Sequence, residues 1–373
     1  MKQYQPSEFL PLIVPHGRTL VDEARPAFIF NWTLSGFDVK FTGKVLRAKL
    51  FVVGNKPILP PSMPWDGKTY EYGVLGIFQG DELLRRFECD TDEGWYTLWE
   101  ADEPGTYAFT VRKTSENFRG RAGLLLLETD GELLPAEAEK KDLTIEFVGD
   151  SITCGYGNEA KEAFGPFLTM EENGWITYAA LAARQLNADM QCVCVSGIAV
   201  SDSLSGPMFG DAIQPMEVCY PYTDFYYDKL LGREPLKWDF AANQKDIVVI
   251  NLGTNDANPI NFARDYAMVP KEEAHFAERY AAFIRQVRAL NGPKPFICFT
   301  LGSMDYYLFD QIHACVDEYV AETGDKRVCC FKYRKMQPMF EGSGGAGHPS
   351  AKSHERMAME LVYNLKETVL PNL

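Results

Sequence analysis

Residues 143–159 read LTIEFVGDSITCGYGNE. The opening run, Leu143–Val148, is apolar and rich in β-branched residues, which predicts a strand. Gly149-Asp150-Ser151 follows at once. A serine at a strand end, beside glycine and leading into a turn, presents its Oγ above the sheet, with neighbouring N–H groups pointing into the same space. Downstream, strand and helix patterns alternate. Met190–Val195, Pro295–Leu301 and Arg327–Phe331 predict strands, and the unbroken apolar run Asp246–Leu252 predicts a central parallel strand buried on both faces. Trp175–Leu186 carries Trp175, Tyr178, Ala179, Leu181 and Ala182 at helical spacing. Lys271–Leu290, Gln311–Glu322 and Ser350–Val369 complete the helices, the last with Ser350 as N-cap. This order predicts a doubly wound, flavodoxin-like parallel sheet between helix layers, with ligands bound at the carboxyl ends of the strands.

Upstream the rhythm changes. Ala27–Trp32, Phe37–Thr42, Val45–Val53, Tyr70–Phe78, Glu82–Phe87 and Thr106–Thr114 are short alternating runs. The turn signals Asp66-Gly67, Gly80-Asp81, Pro104-Gly105 and Asp130-Gly131 punctuate them. Regular short strands without an interrupting amphipathic helix predict a jelly roll or β-sandwich. The charged stretch Ala136–Lys141 reads as a linker. Residues 1–140 are therefore expected to form an all-β domain and residues 141–373 an α/β/α domain, a division in keeping with a chain of 373 residues.

Composition narrows the partners. A formal net charge of −15 repels phosphate backbones and anionic lipid, so neither nucleic acid nor a membrane surface is expected, whereas a neutral substrate meets no such barrier. Aromatics at 13% fit either sugar stacking or an aromatic β core. The nine cysteines are odd in number, several sit in strand-like runs (Cys192, Cys194, Cys298, Cys329), and no pair has zinc spacing, so no metal is expected. Met1–Leu10 has no apolar signal core and no run of 18 apolar residues occurs, which predicts a cytoplasmic protein. Nothing in the sequence sets the oligomeric state.

Four positions carry the chemistry, each after a predicted strand or before a helix. Ser151 is the candidate nucleophile. Gly197, in Ser196-Gly197, and Asn255, in Gly253-Thr254-Asn255-Asp256, offer a backbone and a side-chain donor for an oxyanion, together with the N–H of Ser151. His348, after the glycine-rich loop 342–347, is the candidate base. Each alone is an ordinary turn or capping residue. Their order within one α/β unit, as nucleophile, two donors and base, is what points to acyl transfer without a cofactor.

These residues resemble the SGNH (GDSL-type) hydrolase superfamily, whose four blocks supply Ser, Gly, Asn and His. Over the whole chain, GDSITCGYGNE (Gly149–Glu159), NLGTND (Asn251–Asp256) and the β-rich front half resemble carbohydrate esterase family 2. The resemblance implies a jelly roll followed by an SGNH domain. It also implies removal of acetyl groups from sugar hydroxyls of plant mannan, xylan or glucan and their fragments, through an acetyl-serine that water or another sugar can capture. Most SGNH hydrolases place an Asp three residues before the histidine, and here that residue is Gly345. The resemblance then implies a Ser-His dyad whose imidazole is held by a backbone carbonyl, with Glu341 as the rival third member.

Other residues have plainer roles. Asp150 and Asp256 are expected to brace their turns, and Cys154 to pack. His16, His275 and His313 show no partner spacing, and His354 is a weaker base candidate than His348. Trp238, Met304 and Tyr306 are candidate sugar contacts, and Asp305 and Tyr307 lie beside them. Two competing functions remain: an SGNH lipase or lysophospholipase, and a glycan-binding protein on a degenerate hydrolase scaffold. The β domain is read either as a glycan-binding module or as a wall of the esterase cleft.

Overall fold

A computed structural model describes residues 1–53, 72–163, 168–201, 213–261 and 266–373. The first half holds β1 (Lys2–Tyr4), β2 (Val14–His16), β3 (Leu20–Asp22), β4 (Ala27–Ile29), β5 (Gly36–Val53), β6 (Val74–Gln79), β7 (Glu82–Glu88), β8 (Glu93–Lys113), β9 (Arg121–Thr129) and β10 (Leu133–Leu134). They form one curled, jelly-roll-like antiparallel sheet, ordered β3-β4-β9-β5-β8-β6-β7, with β2 and β10 pairing with β5 and β1 with β9. Phe28, Phe30, Phe37, Phe41 and Phe109 fill its core, with Trp99 and Tyr107 packed against them. Part of the aromatic content of the chain thus packs inside this sheet.

Two expected strands, Phe37–Thr42 and Val45–Val53, are one. Strand β5 runs through both, and its pairing with β8 jumps from Gly43↔Gly105 to Val45↔Glu100. Pro104-Gly105 therefore marks a bulge inside β8 rather than a turn between strands, which is where a residue without an N–H can sit in a sheet. Asp130 Oδ1 caps the bend by accepting from Lys44 N (2.8 Å) and Val45 N (3.0 Å). The Gly80-Asp81 and Asp130-Gly131 turns fall between strands as expected, while Asp66-Gly67 and the start of the Tyr70–Phe78 run lie outside the described residues. A helical turn, Pro6–Phe9, and the 3₁₀ turn that follows it, Leu10–Leu12, are additions to the expected all-β pattern.

The second half contains β11 (Leu143–Gly149), β12 (Ala188–Cys194), β13 (Ile247–Asn251), β14 (Phe296–Leu301) and β15 (Val328–Lys332), all parallel, in the order β12-β11-β13-β14-β15. Strand β13 shows why the sheet needs two helix layers. Val248 and Ile250 pack with Phe276, Tyr280 and Val287 of helix Val269–Asn291 and with Ile312 and Val316 of helix Phe309–Thr323. Ile247 and Val249 face the opposite core, with Ala182 of helix Tyr178–Gln185 and Met357 and Leu361 of helix Ala351–Asn364. Alternation along a strand sends successive side chains into the two cores. Trp175 lies ahead of its expected helix: Asn173 caps a 3₁₀ turn at Gly174–Ile176, and Thr177 caps the helix that follows.

The halves are joined by buried polar contacts. Arg18 donates from Nε (3.2 Å) and Nη2 (2.9 Å) to Glu146 Oε1 in the middle of β11, and both side chains are almost completely buried. Asn31 Nδ2 donates to Asp224 Oδ2 (2.6 Å), and Trp32 Nε1 to the carbonyl of Thr223 (2.7 Å). No helix among the described residues is long and apolar enough to cross a membrane.

Candidate active site

Strand β11 ends on Gly149, where any side chain would collide with Thr153, since a Cβ would lie 2.0 Å from Thr153 Oγ1. The chain then turns into the short helix Ser151–Cys154, whose N-cap is Asp150: its Oδ1 accepts from Ile152 N at 2.9 Å. Asp150 is thus the turn brace expected of it. Burial pushes its carboxyl up to about 7. No acceptor for the Ser151 N–H is found among the described residues.

His348 Nε2 lies 2.8 Å from Ser151 Oγ, and Nδ1 lies 3.2 Å from the carbonyl oxygen of Gly345. A carbonyl only accepts, so Nδ1 carries the proton and Nε2 turns its lone pair to the serine. Burial lowers the imidazole to about 4, against the opposing pull of the Gly345 and Ala346 backbone. Glu341 is elsewhere: Arg356, Ser353 Oγ (2.8 Å) and Gln337 N (3.1 Å) occupy its oxygens, and the Arg356 bond lowers its carboxyl to about 2. His354 accepts from Tyr178 N at 3.2 Å in the core and does not reach the serine.

The residues after Cys154 dock the histidine loop. Gly157 O accepts from Gly345 N (2.8 Å), Asn158 O from Ala351 N (3.2 Å), and the Tyr156 ring lies against the imidazole at 4.5 Å. The stretch GYGN therefore matters because it aligns a loop nearly two hundred residues away.

Gly197, at φ +80°, follows β12, and no acceptor for its N–H is found among the described residues. Asn255, after β13, donates from Nδ2 to Ile198 O (2.9 Å) and to Asp150 Oδ2 (3.4 Å). In this state its amide therefore ties the loops that follow β11, β12 and β13 to one another. Asp256 accepts from Val200 N through both oxygens (3.0 Å each), the loop brace expected of it. Ser151, Gly197, Asn255 and His348 thus converge at the carboxyl end of the parallel sheet.

The model of the GDSL-like lipase/acylhydrolase family matches residues 145–361. The chain belongs to this family. Cellulase/esterase CelE of Acetivibrio thermocellus is 32% identical over an alignment of 332 positions that covers 82% of this chain and 37% of that protein. The chain thus spans little more than a third of CelE. An acetylxylan esterase/glucomannan deacetylase of Cellvibrio japonicus is 27% identical over 285 residues, 75% of this chain and 72% of the relative. Among solved structures, a family two carbohydrate esterase from Clostridium thermocellum in complex with cellohexaose superposes with a TM-score of 0.76 at 25% identity, covering 95% of this chain and 98% of that one. An acetyl xylan esterase from the rumen bacterium Butyrivibrio proteoclasticus gives 0.81 at 20% identity, covering 98% of each.

In this GDSL-like acylhydrolase the expected sugar contacts fare differently from the four central residues. Trp238 is not at the site: its ring lies 5.3 Å from the Arg18 guanidinium, which is held on Glu146 three residues below the end of β11. Met304 and Tyr306 lie on the loop after β14, packed on opposite cores, with the Lys332 ammonium 5.2 Å from the Tyr306 ring. Tyr307 is exposed and donates to Glu273 (2.6 Å). Cys154 packs beneath the nucleophile, its Sγ 3.7 Å from Glu116 Oε2. Two neighbours escaped the sequence reading. Tyr156 could have been found from its place inside GDSITCGYGNE. Glu116 lies in the β half and carries no local signal.

Proposed function

We propose that this acylhydrolase removes acetyl groups from sugar hydroxyls of acetylated plant oligo- or polysaccharides of the mannan, xylan or glucan type. The observation that carries this reading is the 2.8 Å contact between Ser151 Oγ and the unprotonated Nε2 of a histidine whose Nδ1–H is held by Gly345 O. The Cellvibrio japonicus relatives, named acetylxylan esterase/glucomannan deacetylase, support the substrate class. The acidic chain suits a neutral glycan.

His348 takes the hydroxyl proton as Ser151 Oγ attacks the acetyl carbonyl carbon. The tetrahedral oxyanion rests on the N–H groups of Ser151 and Gly197 and on the Asn255 amide, turned from Ile198 O when substrate is present. Loss of one such donor costs roughly 10²–10³ in rate. Collapse breaks the bond between the carbonyl carbon and the sugar oxygen, which leaves with the proton held on His348. Water then repeats the sequence on acetyl-Ser151, releasing acetate, while capture by a sugar hydroxyl gives transacetylation.

The test is incubation with site-specifically acetylated manno-, xylo- and cello-oligosaccharides, read by mass and NMR, beside Ser151→Ala. Brief reaction with an activated acetate ester should add one acetyl group to Ser151. Turnover that survives Ser151→Ala, or rates that climb from acetyl to octanoyl esters, would overturn the reading.

A further inference from the structure

A carboxylate of the β half reaches the catalytic centre. Residues 114–120 link β8 to β9, and Glu116 within them is 2% exposed. Its Oε2 accepts from Ser196 N at 2.7 Å and lies 3.7 Å from Cys154 Sγ. One oxygen thus touches both the loop that carries Gly197 and the helix that begins with Ser151. Glu116 is itself held from several sides. Its N–H donates to Glu172 Oε1 and its carbonyl accepts from the Lys113 ammonium, which also reaches Ser115 O at 3.0 Å. Arg119 pairs with Glu172 at 3.5 Å.

We infer that Glu116 is a positioning residue for the oxyanion donors, a role that rests on the acyl-transfer reading above. The physical need is plain. A glycine at φ +80° has wide backbone freedom, so the direction of its N–H is poorly set by local sterics. A donor lowers the barrier only if it already points at the developing charge. Anchoring the preceding N–H, that of Ser196, fixes the start of this turn and so narrows the directions the Gly197 N–H can take. At 2.7 Å the bond from Ser196 N to Glu116 Oε2 is short, which limits how far that peptide can turn. The same oxygen ties that loop to the nucleophile helix, so the distance between Gly197 N–H and Ser151 is set by a residue from the other half of the chain.

The test compares Glu116→Gln with Glu116→Ala in the full chain. The glutamine amide oxygen still accepts from Ser196 N, so Glu116→Gln should keep kcat within about threefold of the parent. Glu116→Ala should lose roughly 10- to 100-fold in kcat with KM unchanged, somewhat less than deletion of a donor. Affinity for a boronic acid that mimics the tetrahedral intermediate should fall in parallel, while affinity for the deacetylated oligosaccharide stays. If Glu116→Ala does not fold, Glu116→Asp, one methylene short of Ser196, takes its place. Equal losses in the Gln and Ala variants, or an Ala variant with parental kcat and boronate affinity, would overturn the inference. Amide exchange at Ser196 separates it from the esterase reading. Faster exchange in Glu116→Ala supports the clamp even if acetyl sugars prove not to be substrates, and unchanged exchange sinks it even if they are.

Discussion

Arg356 grips Glu341 at both ends of its carboxylate, with Nε 2.6 Å from Oε1 and Nη2 3.2 Å from Oε2. The carboxylate is thereby directed into the base of the final helix and away from His348. Glu341→Ala should therefore leave kcat within about tenfold of the parent. Removing one of the two carboxylates that pair with this mostly buried guanidinium should cost about 1–3 kcal/mol of stability. A drop in kcat beyond a thousandfold at unchanged melting temperature would make Glu341 the third catalytic member after all.

Burial lowers His348 to about 4. The working form of a general base is the neutral one, which then persists down to about pH 4 instead of fading near the ordinary histidine value of roughly 6.5. The acid limb of kcat/KM should sit close to pH 4, and a limb above pH 6 would contradict the burial. The folded-state value lies below the unfolded one, so between about 6.5 and 4 the unfolded chain binds the proton that the native chain refuses. His348 therefore takes stability from the native state as pH falls through that window, opposite in sign to the raised Asp150 carboxyl. Its share is read as the difference in chemical denaturation between the parent and His348→Gln at pH 7 and pH 5, the parent losing more over that interval.

Arg18 and Glu146 are 0% and 1% exposed and belong to opposite halves of the chain. Cutting the chain at residue 141 leaves Glu146 buried without its cation, and stranding one member of a buried pair costs about 3–5 kcal/mol. Asp224 loses Asn31 and Asn117 at the same stroke. Residues 141–373 expressed alone should be insoluble or lack a cooperative melt. The intact chain should unfold in one calorimetric transition. A well-folded, active fragment would show that the interface is dispensable.

Cys154 is fully buried, and desolvation raises its thiol well above the usual range. Thiolate chemistry is closed to it in the native state. Iodoacetamide should leave activity intact, with intact-protein mass showing alkylation at most at the half-exposed Cys329 and Cys330. Rapid inactivation with mass added at Cys154 would place that thiol in reach of the cleft.

The parallel sheet was legible because each of its signals is local. The β-branched run DIVVINL reads as a strand with apolar cover on both sides, and Ser151, Gly197 and Asn255 each follow such a run within a few residues. The antiparallel half was legible in type but not in strand count, because a bulge and a turn use the same residues: Gly43 and Pro104-Gly105 look like chain reversals until their pairing is known. Trp238 was misplaced because its cationic partner, Arg18, lies 220 positions earlier and on the far half. Glu116 went unseen because a carboxylate in a β-rich loop looks like a solvated charge, and its partner Ser196 is 80 residues away. Contacts between the halves have no periodicity to announce them.

The acceptor that steadies His348 belongs to the main chain, so any amino acid at position 345 would bring the same oxygen. No codon change can delete it. Only a distortion of the loop can move it, and the loop is set by Ala346 at φ 50° and Gly347 at φ 74°. Natural variation in enzymes built this way should therefore be constrained in the shape of that turn and not by the need for a catalytic side chain there. A survey that recognises the third catalytic member by its side chain would pass over them.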